Sequence, residues 1–132
     1  MDEKMRKKFD YLMDLINQKK LVIGENGRVY KVDVNGELFP GEYLTGYGYY
    51  QVSVYIGNYK YLHCLSHRLI YAYHHGIDAL NPKMVIHHLD FDKTNNHISN
   101  LVQITKQENS ILGDGTNNNY VNYYDFKKNK IN

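Results

Sequence analysis

The chain has 132 residues, 42% of them hydrophobic and 23% charged, which is one globular domain's worth of sequence with tails and excludes wholesale disorder. Sixteen Lys+Arg against fourteen Asp+Glu leave a net charge of +2, too small by itself to announce a nucleic-acid binder. No apolar run approaches the roughly 18 residues of a membrane span, Met1 to Lys20 is charged throughout, and the lone Cys64 excludes an internal disulfide or a multi-thiolate zinc site. A soluble, intracellular protein is expected, with any metal resting on His, Asp, Glu or Asn.

In chain order, Glu3 to Lys20 reads as a helix, because Met5, Phe9, Leu12, Met13, Leu15 and Ile16 recur at three- and four-residue spacing. Its basic cluster, Lys4, Arg6, Lys7 and Lys8, is most simply a solvated face. From Leu21 the period changes to two, with a strand over Arg28 to Val34 between the turn residues Glu25-Asn26-Gly27 and Asn35-Gly36. A second hairpin is predicted from Tyr50 to Ile56, through a Gly57-Asn58 turn, into Tyr59 to Cys64. Together these make one small antiparallel sheet. Ser66 is placed to cap a helix that buries Leu69, Ile70 and Tyr73 and stops at Gly76, and Pro82 precedes a short strand at Met84-Val85-Ile86. From Gly113 onward the chain is Asn-rich and closes with Lys127, Lys128 and Lys130, as a loosely held tail would.

Charge is distributed unevenly. Between Glu42 and Asp78 there is no carboxylate, and that window holds nine of the fourteen tyrosines, four histidines, Lys60 and Arg68. An acid-free, tyrosine-rich surface suits a polyanion, since phenol hydroxyls donate to phosphate oxygens and the rings pack on sugars or bases. The plainer alternative is that tyrosines simply favour strands.

The stretch that carries chemistry is Val85 to Asn109. His87 and His88 end an apolar strand, where successive side chains alternate faces, so two different roles are expected of them. One neutral imidazole can bind a metal, and the other, with an ordinary pKa near ~6.5, can take a proton from water. A polar loop follows, then a partner strand at Leu101-Val102-Gln103-Ile104, and Thr105 with Glu108 forms a capping box that starts a helix carrying Asn109. Asp90, Asp92 and Thr94 have the spacing of a calcium loop, but Asn95 stands where that loop needs Gly and Leu101 where it needs Glu.

This stretch resembles the HNH nuclease motif in the version found in phage and intron-associated homing endonucleases. The resemblance is carried by His87, His88, Asp90, Lys93, Asn95-Asn96, Asn100-Leu101, Thr105 and Asn109, and upstream by Gly48-Tyr49-Tyr50 with Val52 and Val54, and by His67-Arg68-Leu69. It covers roughly Gly27 to Ile111. Two departures stand out: Phe91 where the family often has Gly, expected to pack or touch DNA, and His87 where it often has Asp, which leaves one less negative charge on the metal.

The resemblance implies an α+β fold ending in a ββα-metal motif, with His88 as general base, Asn100 bracing the loop and helping to orient that base, and His87 and Asn109 as ligands of one divalent ion. Mg²⁺ is the expected metal, with Mn²⁺ or another transition metal as the alternative. The implied partner is double-stranded DNA, contacted by Lys60, Arg68, Tyr55, Tyr61 and Lys93. A single site nicks, and a homodimer or a second binding event cuts both strands. The corresponding divisions are an N-terminal helix to 20, a DNA-contacting sheet and helix over 21–84, the motif over 85–112 and the tail over 113–132, in a cytoplasmic setting such as a phage-infected host. Two rival readings are a DNA-binding module of the same fold without cleavage, and a histidine-based metal-binding interaction protein.

Overall fold

The computed structural model describes residues 1–113; the lysines at 127, 128 and 130 lie outside the described residues. Helix α1 (Glu3–Asn17) is capped by Asp2, whose carboxylate accepts the Met5 N–H at 2.8 Å. It stops short of Lys20 because Lys19 takes a left-handed φ of 60° and the Lys20 N–H returns to the Leu15 carbonyl. One buried stripe, Phe9 and Leu12, faces the core, while Lys4 and Lys7 are exposed.

The single sheet expected of the two N-terminal hairpins is two small antiparallel sheets, and the strand pair expected in the motif forms a third. β1 (Leu21–Ile23), β2 (Val29–Val32) and β3 (Leu38–Pro40) form the first. β4 (Glu42–Leu44), β5 (Tyr50–Gly57) and β6 (Lys60–Leu65) form the second. The chain changes sheets after Pro40, where the Gly41 N–H still reaches the Val29 carbonyl at 3.0 Å and Gly41 lies so close to the Lys31 backbone that a Cβ would meet it at 2.9 Å. A half-buried ion pair joins the two sheets: Arg28 Nε donates to Glu42 Oε1 at 2.6 Å, and the Val29 N–H reaches the same oxygen at 3.2 Å.

In the β5–β6 hairpin the pairing of Gly57 with Lys60 makes Asn58 and Tyr59, not Gly57 and Asn58, the central turn residues. Both have positive φ (53° and 60°), as a type I′ turn demands, and asparagine accepts this more readily than tyrosine does. Helix α2 (Ser66–His75) buries Leu69 and Ile70 and ends at Gly76, as its sequence predicts. Ser66, however, is the first helical residue and makes no cap bond, and Tyr73 is 45% exposed, because the buried stripe runs through Ala72 instead.

β7 (Met84–His88) and β8 (Leu101–Thr105) pair in full register, His88 opposite Leu101 and Met84 opposite Thr105. The Thr105–Glu108 capping box then opens α3 (Lys106–Leu112). A continuous core of Phe9, Leu12, Leu21, Val29, Val52, Leu69, Ile70, Ile86 and Leu101 ties all three sheets to α1 and α2. Burial of this apolar surface stabilises the fold and holds the C-terminal end of β7 against α2. Cys64 is buried in the same core, which pushes its thiol up to about 11.

Candidate active site

β7, α2 and α3 meet around a cavity of 460 Å³ whose walls include His87 and His88 from β7, His67 and Arg68 from the first turn of α2, Asn109 from α3, and Phe91 and Lys93 from the loop after β7. No Asp or Glu is among the described residues that line it, whereas Arg68 and Lys93 are. Such a wall favours an anionic ligand.

The loop between β7 and β8 is held by its own polar side chains. Asn100 Nδ2 donates to Asp90 Oδ1 at 2.8 Å and to the Asn95 carbonyl at 2.9 Å, while its Oδ1 accepts the Asp90 N–H at 3.1 Å. Asn95 Nδ2 reaches the other Asp90 oxygen at 2.8 Å. Burial pushes the Asp90 carboxyl up, but the hydrogen bonds from Asn95, the Asp92 backbone and Asn100 outweigh it, so the net displacement is downward. Asp92 accepts from the Thr94 N–H and hydroxyl, at 3.0 and 2.6 Å. The carboxylates with calcium-loop spacing thus serve as turn acceptors.

His87 and His88 are both buried, at 7% and 5% exposure, and have different neighbours. Phe91 adopts φ 62°, the left-handed conformation that glycine would take there, and its ring meets the His87 imidazole edge-on at 4.9 Å. Burial first, and then the neighbouring His88, pushes the His87 pKa down, which favours the neutral imidazole. His88 packs against His67 at 5.1 Å and Tyr49 at 6.1 Å between ring centroids, and its Nε2 lies 2.7 Å from Asn96 Oδ1. Burial pushes His67 down to about 3, so it is a neutral packing partner at working pH. Lys93 Nζ sits 4.9 Å from the centroid of the Tyr49 ring and donates to the Tyr47 carbonyl at 3.3 Å.

His87, His88, Asn109, Arg68 and Lys93 are therefore gathered in one place. Asn100 braces the loop from behind, but the side chain bonded to His88 is that of Asn96. Asn96, His67 and Tyr49 are neighbours of His88 to which the sequence assigns no role. The Asn95-Asn96 pair is visible in the motif, yet nothing in its spacing tells which amide turns inward. Tyr55, Tyr61 and Lys60 lie outside the cavity, on the exposed hairpin β5–β6, where Tyr55 and Tyr61 form a cross-strand pair with centroids 5.2 Å apart. Their face continues through the Ser53–His63 and Gln51–Tyr43 hydrogen bonds toward a second hollow lined by Gln51, Leu65, Tyr49 and Lys93, three of which also line the first.

The donors available to a metal ion are the His87 imidazole and the Asn109 amide. Among the described residues no group of three or more His, Cys, Asp or Glu side chains could hold one. A neutral imidazole and an amide oxygen are an acceptable partial set for a divalent cation that completes its shell with water and phosphate oxygens.

Comparison with known proteins gives an independent view of this arrangement. No curated protein matches the chain. A solved structure on DNA binding and cleavage by the HNH homing endonuclease I-HmuI is similar, with a TM-score of 0.53 and 24% identity, over 68% of this chain and 49% of that one. The chain thus spans about half the length of that protein, and the likeness is one of fold. The motif read from the sequence is met by a family match as well: residues 64–111, the stretch that carries His67, His87, His88, Asn96, Asn100 and Asn109, match the HNH endonuclease family.

Proposed function

We propose that this chain is a metal-dependent HNH endonuclease that hydrolyses phosphodiester bonds of double-stranded DNA, of the homing type carried by phages and mobile elements. The observation that carries the reading is the meeting of His87, His88 and Asn109 in one cavity whose described walls hold Arg68 and Lys93 and no carboxylate.

His87 and Asn109 would hold the divalent ion, which supplies positive charge to the phosphate and to the departing 3′ oxygen. Arg68 and Lys93 draw the DNA backbone into the cavity. His88 accepts a proton from water as the water oxygen bonds to phosphorus, the bond to the 3′ oxygen breaks on the opposite side, and that oxygen takes a proton from solvent water. The products carry a 5′-phosphate and a 3′-hydroxyl. Tyr55, Tyr61 and Lys60, on the acid-free hairpin, extend the contact along the duplex.

Plasmid nicking tests this reading. The wild-type chain with Mg²⁺ or Mn²⁺ should convert supercoiled DNA to open circles, and His88→Ala should lose at least the ~10²-fold typical of a general base while still retaining DNA. Full turnover by a folded His88→Ala protein removes His88 from the mechanism. A wild-type protein that binds DNA and cuts none, with any divalent metal, is instead a binding module of this fold.

A further inference from the structure

We propose that Asn96 is the positioning residue of this site: it holds the His88 imidazole with its proton on Nε2, leaving the lone pair of Nδ1 to accept the proton from water. The inference rests on the nuclease reading for its purpose, but its geometric content stands apart from it.

Three observations converge. Asn96 Oδ1 lies 2.7 Å from His88 Nε2, and an amide oxygen has only lone pairs to offer, so the ring nitrogen is the donor. Asn96 is also 1% exposed, and its Nδ2 has no hydrogen-bond partner among the described residues. A buried amide with an unsatisfied N–H is a net destabilising choice, and an apolar residue of similar size would serve packing better. Among the described residues its one side-chain bond is the one to His88, which points to the imidazole as the reason for the amide.

The third observation is that the backbone around Asn96 is fixed from two sides. The preceding Asn95 carbonyl is held by Asn100 Nδ2 at 2.9 Å. Beneath it, Gly27 in the β1–β2 turn packs so closely that a Cβ would stand 2.4 Å from both the Asn96 carbonyl carbon and the His97 nitrogen. The Asn100 carbonyl is itself taken by the Leu89 N–H at 2.8 Å. Asn100 therefore acts on His88 only by shaping the loop that presents Asn96.

The tautomer can be read directly on the metal-free 132-residue chain labelled with ¹⁵N-histidine, from two-bond ¹H–¹⁵N correlations at a pH where the ring is neutral, with the His88 signals assigned by their loss in His88→Gln. The expected wild-type pattern is a protonated Nε2 and an unprotonated Nδ1. Asn96→Ala should populate the Nδ1-protonated form and lower kcat about 10–100-fold with KM for DNA unchanged. Asn96→Asp, which keeps an acceptor, should restore the Nε2-protonated form and most of kcat. A wild-type proton on Nδ1, as an amide turned to donate through Nδ2 would impose, overturns the proposal. So does a folded Asn96→Ala protein with unaltered tautomer and kcat. If Asn96→Ala does not fold, the wild-type spectrum still decides. If the wild-type chain cuts no DNA, the nuclease reading fails while the spectrum continues to test Asn96.

Discussion

Gly27 lies under the peptide that joins Asn96 to His97, at a φ of +79° and with no room for a Cβ. The turn between β1 and β2 is thus a support for the loop that faces His88, although it contributes nothing to the cavity itself. Gly27→Ala should destabilise the protein by about 2–3 kcal/mol, combining left-handed strain with displacement of the loop backbone. Gly36→Ala is the matched control, since Gly36 has φ +81° and nothing within 4 Å of its missing Cβ, and it should lose only about 1 kcal/mol of strain. Urea midpoints of the two variants check this: equal losses would mean that the loop yields freely.

Much of the fold was legible because it is written locally. The Thr105–Glu108 capping box, the Gly76 stop and the alternation over Tyr50 to Ile56 each depend on residues a few positions apart, and each appears where the sequence puts it. The division of the two N-terminal hairpins between two sheets was not legible, because it turns on the half-buried Arg28–Glu42 pair and the change of sheet at Pro40-Gly41. The site divides the same way. His87, His88 and Asn109 stand in a recognisable motif, whereas the Asn96 backbone packs against Gly27, a contact between segments far apart in the chain that leaves no periodic trace. Phe91 shows how a departure is absorbed: it takes glycine's backbone conformation and places its ring on His87.

The Arg28–Glu42 pair should matter more for stability than a surface ion pair does. Glu42's side chain is fully buried while Arg28's is 37% exposed, and the guanidinium also lies 4.3 Å from the Tyr50 ring centroid. Arg28→Ala strands the carboxylate, so a loss of about 2–3 kcal/mol is expected, below the ~3–5 kcal/mol of a wholly buried pair. Adding Glu42→Gln should recover part of it, since the amide oxygen still accepts the Val29 N–H without a charge to bury. Thermal melts of the single and double variants would show the recovery, and a double variant less stable than Arg28→Ala alone would refute it.

His87→Ala and Asn109→Ala should both raise the metal concentration needed for half-maximal cleavage, about 10–100-fold, because each removes one of the two protein donors. His87→Asp should keep activity and move the preference toward Mg²⁺, as an anionic oxygen replaces a neutral nitrogen. Titrations with Mg²⁺ and Mn²⁺ provide the check. Curves for the alanine variants that overlay the wild-type curve would mean that the ion is held elsewhere.

The DNA-holding face can be dissected by salt, because its cations are few and occupy different places. Among Tyr43 to Ile77 only Lys60 and Arg68 are basic. Lys60 is exposed at the start of β6, while Arg68 is half-buried in the cavity wall and its Nη2 reaches Met5 Sδ at 3.9 Å. The N-terminal cluster is partly engaged as well: Arg6 pairs with Asp78, and Lys7 with Glu3 at 3.3 Å. Exposed pairs of this kind are worth little and open readily, so these side chains remain available to phosphate. Lys60→Ala should therefore weaken binding about equally on all sequences, lower the slope of log K against log salt by about one, and leave kcat unchanged. Lys93→Ala should lower the slope similarly and reduce kcat too, because Lys93 lies in the cavity beside Tyr49. Binding isotherms at several salt concentrations, paired with single-turnover cleavage, separate the two. An unchanged slope for Lys60→Ala would mean that the hairpin β5–β6 faces solvent in the complex, and that its exposed Tyr55 and Tyr61 serve another surface.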